Sequence, residues 1–126
     1  MTRHLHISSH RGIPYVESQS AECLIRTTQD MLDILAWGGE RDTQLILMEV
    51  SNFDRRFFDL STGLAGDLLQ KCSNYHVQLA IAGDYTIVIS SRFRELVAEL
   101  NRGDHVRFTR TREEAAEWLV SSRAGS

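Results

Sequence analysis

The segment Phe58–Lys71, FDLSTGLAGDLLQK, places an acid and two hydroxyls, Asp59, Ser61 and Thr62, directly ahead of Gly63. Either hydroxyl can cap a helix, because the first amides of a helix lack partners and a Ser or Thr oxygen accepts from them. Either can also carry a phosphate. A phosphate at that turn would meet unpaired amides and the positive end of the helix. It would also be repelled by Asp59, and by Glu49 and Asp84 if they lie close. Adding about two negative charges there would change which partner docks. Glu49 ends one apolar run and Asp84 follows another. The set Glu49, Asp59 and Asp84 offers a second chemistry, Mg²⁺ binding or acid–base work, provided the three share one edge of the fold.

A basic and aromatic loop precedes the hydroxyls, with Phe53, Arg55, Arg56, Phe57 and Phe58 in six positions. One or two of these rings can anchor the loop on the core. Three facing inward would be crowded for so short a segment. Aromatic and arginine residues are enriched at interface centres, so a partner or self-association surface is the expectation here.

Other reactive side chains lack a productive pattern. Cys23 and Cys72 show no CxxC or Cys/His spacing, and each sits in apolar surroundings, so both read as buried, reduced thiols. His4 and His6 lie two apart with His10 nearby, which reads as the polar side of a strand rather than a metal site. Neither GxxxxGK[ST] nor GxGxxG occurs. No cofactor and no metal is expected.

The elements that must position these residues follow from apolar spacing. RHLHIS alternates, SHRG is a turn, and IPYVE returns, which makes an N-terminal antiparallel hairpin with Pro14 at a strand start or edge. CLI is a short extended piece. A helix starts at Thr27 or Thr28, with Thr27 and Asp30 spaced as a capping box, and stops at Gly38–Gly39. QLILMEV is a continuous apolar run, as in a strand covered on both faces. A helix follows from Leu64, then the strand VQLAIAG. A third helix is capped by Ser90 or Ser91 and precedes the strand HVRF. TREEAAEWLV is the last helix, with Thr111 and Glu114 as its capping box, and SSRAGS reads as a frayed tail. Alternating strands and helices dictate an α/β fold with a mixed, mostly parallel sheet and about four helices. One domain over residues 1–120, with a disordered tail at 121–126, fits the 126-residue length.

Composition narrows the function classes. Net charge is −3 and no Lys/Arg run is present, which argues against a dedicated nucleic-acid binder. No apolar stretch has the length of a signal peptide core or a membrane span, so a cytoplasmic location is expected.

The stretches LILMEV, FFDLSTGLAGDLLQ, VQLAIAGDY and REEAAEWL together resemble the STAS domain, the fold of anti-sigma-factor antagonists. In that family a strand leads to an Asp, then Ser-Ser or Ser-Thr, then Gly-Leu and an amphipathic helix. The resemblance implies a STAS-like fold, a protein partner and phosphorylation at Thr62, with Ser61 beside it and Asp59 as the acid. Leu60, between the acid and the hydroxyls, departs from the pattern. TTQDMLDIL, FFDLSTGLAGDLLQKCSNYHVQLAIAGDY and EEAAEWL also resemble a bacterial domain of unknown function, DUF 4180, nearly end to end. That resemblance implies no activity.

Two readings result. The first is a small regulatory protein-interaction module, switched by phosphorylation within Asp59–Gly63. It docks through the Asp59–Gly66 edge and the phenylalanine loop, with a homodimer as one form of docking. The second is a small-molecule binder or enzyme that uses Glu49, Asp59 and Asp84, with or without Mg²⁺.

Overall fold

A computed structural model describes residues 4–86 and 90–124, with side chains described as far as 121. The hairpin β1 (Leu5–His10) and β2 (Ile13–Ser18) comes first. Arg11 and Gly12 turn it, both with positive φ (53° and 79°), which suits the right-handed twist of paired strands. Three strand–helix units follow: α1 (Thr28–Gly39) into β3 (Leu45–Glu49), α2 (Leu64–Asn74) into β4 (Gln78–Ala82), and α3 (Ser91–Leu100) into β5 (Val106–Thr109). The last helix, α4 (Arg112–Ala124), continues beyond the expected end, so Ser121–Ala124 is helical rather than tail. Arg3 of the expected first strand and the last two residues of the expected tail lie outside the described residues.

The five strands lie in sequence order, β1-β2-β3-β4-β5, with β1 and β2 antiparallel and the rest parallel. Buried side chains of α1, α2 and α3 (Met31 and Ile34, Leu68 and Cys72, Phe93 and Val97) share one core with Ile46, Met48, Leu79 and Ile81. The alternate residues Leu45, Leu47, Ala80 and Ala82 meet Ala115, Ala116 and Leu119 of α4 on the other face. The apolar run of β3 is thus buried on both sides, as its composition required. Successive right-handed crossovers over one face each step in the same direction, which gives the sequential strand order.

Local signals agree with this arrangement. Thr27 and Asp30 form a reciprocal capping box, Ser90 caps α3, and Thr111 and Glu114 bond reciprocally at the start of α4. Pro14 lies inside β2, opposite Ser9. The ladder from β2 to β3 begins only at Val16, so the missing N–H of Pro14 breaks no pairing.

Candidate functional site

The connection from β3 to α2 is long, and it makes the site. It runs through short 3-10 turns at Val50–Asn52, Arg55–Phe58 and Leu60–Thr62. Its rings point inward. Phe53, Phe57 and Phe58 are 4%, 0% and 6% exposed. Phe57 stacks against Phe53 at 4.5 Å and Phe58 at 5.1 Å between centroids, and both Phe57 and Phe58 reach Phe93 of α3, at 5.8 and 5.5 Å. The expected docking surface of Phe53, Phe57 and Phe58 is therefore corrected. The 3-10 turns compact the chain enough for all three rings to enter the core, and edge-to-face contacts reward that packing. Only Arg55 and Arg56 of that set remain at the surface.

Asn52 holds the connection to the segment after β2. It is fully buried; its Oδ1 accepts from the Glu49 amide (2.7 Å) and its Nδ2 donates to the carbonyls of Ser20 (2.7 Å) and Glu22 (2.8 Å). Its own carbonyl accepts from Leu24 and Ile25, and the Asp54 amide donates to the Ile25 carbonyl. Ile25 and Phe53 form a parallel bridge, the extended piece anticipated at CLI. This pinning brings Cys23 and Arg26 beside the carboxyl ends of β3 and β4.

The result is a cleft of ≈ 1110 Å³ at those strand ends. Phe53, Phe58, Val50 and Ala82 supply apolar lining. Glu49, Asp54, Asp59, Asp84, Arg26, Arg55 and Arg56 supply charge, and Cys23, Ser51 and Gly83 complete the wall. All three acids singled out from the sequence, Glu49, Asp59 and Asp84, lie on this one cleft. Gly83 has φ +127°, and a Cβ there would come within 3.3 Å of Val50 Cγ2, so only glycine fits this bend beside the opening.

The acids differ in what they hold. Asp54, Asp59 and Asp84 each fold onto their own following residues. Asp59 Oδ1 accepts from the Ser61 amide (3.0 Å) and hydroxyl (2.7 Å). Asp84 Oδ1 accepts from the Thr86 amide (3.0 Å) and hydroxyl (2.5 Å). Asp54 Oδ1 accepts from the Arg56 amide and Nε, both at 2.9 Å. These bonds hold all three carboxyls below the usual aspartate range, chiefly through the side-chain donors of Arg56, Ser61 and Thr86. Glu49 is instead tied to α4: Arg112 Nε donates to Glu49 Oε1 (2.9 Å), and Nη1 of the same guanidinium donates to Glu17 Oε2 (2.5 Å). Burial works to lower the Arg112 pKa, and the bonds to the two glutamates outweigh it. Among the described residues, no group of three or more His, Cys, Asp or Glu is placed to hold a metal ion.

The two hydroxyls are exposed yet engaged. Ser61 Oγ bonds Asp59. Thr62 Oγ1 lies 2.6 Å from the Arg56 carbonyl and 2.8 Å from that of Asp59, and it accepts from the Leu64 amide at 3.3 Å. Gly63 then takes φ +80° to open α2, which is why a glycine follows Thr62. Gly66 has open space around it, so close packing does not explain it.

Neither cysteine completes a reactive site. Cys72 is buried and its thiol is pushed up to about 12 by desolvation. Cys23 is half-buried on the cleft, more open than its apolar neighbours suggested.

A family model for the domain of unknown function DUF4180 matches residues 10–119. The chain belongs to that family. The DUF4180 match takes in every strand except most of β1, the whole of the cleft and all but the end of α4. No curated protein matches the chain, and no solved structure matches it. Sequence reasoning missed Asn52 and Arg112 at this site. Arg112 carried one usable signal, as the single cation opening a helix whose first turn is otherwise acidic.

Proposed function

We propose that this DUF4180 chain is a small-molecule-binding module, and that the cleft at the carboxyl ends of β3 and β4 is where the ligand sits. The observation that carries the reading is the placing of apolar lining, arginines and four carboxylates on one ≈ 1110 Å³ cleft. Apolar walls with a few placed polar groups suit a compact organic ligand. The side chain of Arg55 has no hydrogen bond or ion pair among the described residues, so its donors are free for a ligand. Binding rather than catalysis is favoured by the acids themselves. General acid–base work needs a group tuned toward neutrality, and the three aspartates are held ionised by their own turns.

Thermal-shift and native mass-spectrometric screening against a metabolite panel tests the proposal, with Ser51→Trp as the blocked control. Ser51 is exposed and lines the cleft, so the indole fills the opening without entering the core. A compound that raises the Tm of the native chain and leaves that of Ser51→Trp unchanged supports the reading. A panel with no binder, or a shift that survives the substitution, sinks it.

The exposure of Ser61 and Thr62 favours a second reading, a STAS-like protein-docking module of bacterial regulation. Phosphorylation there has a cost that the turn makes explicit. Thr62 Oγ1 must leave two carbonyls, and a phosphate on Ser61 faces the Asp59 carboxylate. Mass spectrometry of the native protein and partner binding by Thr62→Glu test it.

A further inference from the structure

The two edges of the sheet are built differently. At the β5 edge, the side chain of Asn101 covers the strand: its Oδ1 accepts from the Phe108 amide (2.8 Å) and its Nδ2 donates to the Phe108 carbonyl (3.3 Å). Arg107 adds a cation, and the strand is only four residues long. Short length, charge and a covering side chain are the usual ways to blunt an edge.

Among the described residues, the β1 edge has none of these. The Gln19 amide donates to the His4 carbonyl, which marks His4 and Gln19 as a hydrogen-bonded pair. Bonded pairs alternate along an antiparallel ladder, so His6, Ser8 and His10 also bond to β2. Leu5, Ile7 and Ser9 therefore point their amides and carbonyls outward. Pro14 agrees with this phase. It faces Ser9 in a non-bonded pair, and its carbonyl turns the other way, to accept from Thr43 Oγ1 at 3.0 Å. No Lys, Arg, Asp, Glu or Pro lies within β1. Ile7 is 39% exposed, and among the described residues only Tyr75 is a comparably exposed large hydrophobic.

We propose that β1 is a self-association edge, and that its occupant is β1 of a second copy of this chain in antiparallel register centred on Ile7. That register is self-complementary. Ile7 pairs with its own counterpart, and Leu5 pairs with the second copy's Ser9 in both directions. Each of these three pairs exchanges two backbone bonds, so every outward amide and carbonyl of Leu5, Ile7 and Ser9 is satisfied. The two Ile7 side chains meet on one face, and His6 meets the second copy's Ser8 on the other, with no Lys, Arg, Asp or Glu of the strand facing its counterpart. A single six-residue ladder is smaller than a stable interface, so the dimer is weak and forms at about 100 μM chain and above.

Sedimentation velocity from about 10 μM to about 1 mM measures it. The native chain should move from monomer to dimer across that range. Ile7→Lys opposes two cations across the two-fold axis and should weaken association at least about tenfold, with the far-UV spectrum unchanged. Amide exchange supplies an arm independent of folding of the variant. In the native chain, the amides of Leu5, Ile7 and Ser9 should gain protection as concentration rises, while those of His6, Ser8 and His10 stay constant. A monomer at every concentration overturns the proposal. So does a dimer indifferent to Ile7→Lys, or one whose formation leaves the Leu5, Ile7 and Ser9 amides exchanging freely.

Discussion

Asn52 and Asp59 lie in the same connection between β3 and α2, and both are polar residues that hold a turn. Their partners differ in kind. Asn52 is fully buried and bonds across to Ser20 and Glu22, about thirty residues back in the chain. Asp59 is exposed, and among the described residues its side chain bonds only to Ser61, two residues on. The first ties together two distant segments of the chain, beside the Ile25–Phe53 bridge. The second shapes a turn that water could satisfy nearly as well. The contrast separates the inner wall, buried behind the cleft lining, where side chains hold the molecule together, from the rim, where they stay available to a ligand.

The largest effect should come from the inner wall's packing. Phe57→Ala empties a site enclosed by Phe53, Phe58 and Phe93 and should destabilise the chain by about 3–5 kcal/mol in urea unfolding. A loss below about 1 kcal/mol would mean that the ring lies outward after all. Asn52→Ala comes next. It strands the Glu49 amide and the Ser20 and Glu22 carbonyls, and a loss of about 2–4 kcal/mol is expected by the same measurement. Amide exchange should also quicken at Leu24 and Ile25, which bond the Asn52 backbone. If Asn52→Ala costs no more than a surface change, the distinction between wall and rim fails.

Arg112 stands between the two regimes. It is partly exposed but joins β2, β3 and α4 through Glu17 and Glu49. Arg112→Met keeps the stem's packing and removes the fork. A loss of about 1–2 kcal/mol is expected, smaller at high salt because the pair is partly screened. Salt independence would show that packing of the stem, not the ion pairs, carries the residue's contribution.

The same contrast explains what could be read in advance. Helix starts at Thr27, Ser90 and Thr111 were legible, because each cap involves residues within four positions of one another. The alternation of strands and helices was legible for the same reason, and with it the edge on which Glu49, Asp59 and Asp84 lie. Asn52 was not legible, since its partners are set by the return of a distant segment, and a buried Asn looks like any loop Asn in sequence. Arg112 reaches Glu49 and Glu17 across 63 and 95 positions, a distance that no local pattern encodes. The inward turn of Phe53, Phe57 and Phe58 depended on successive 3-10 turns that compact the loop. A reading based on ordinary loop length allowed too little room.

The rim should give the smallest effect, and its pH dependence has a definite sign. Hydrogen bonds lower the pKa of Asp54, Asp59 and Asp84 in the folded state. Their contribution is then fully present above the unfolded aspartate value of about 3.9 and is lost as pH falls through the lower folded values. A triple Asn variant keeps the turn geometry and removes the charge. Near neutral pH its Tm should lie only slightly below that of the native chain, because Asp59 and Asp84 are exposed and Asp54 is partly exposed to solvent. On titration below about pH 4 the two Tm curves should converge, since the native carboxyls then lose the ionised form that the turns favour. A gap that persists in acid, or one that rivals the Asn52→Ala loss, would move these aspartates from the rim to the wall. It would also remove the reason for treating them as free to meet a ligand.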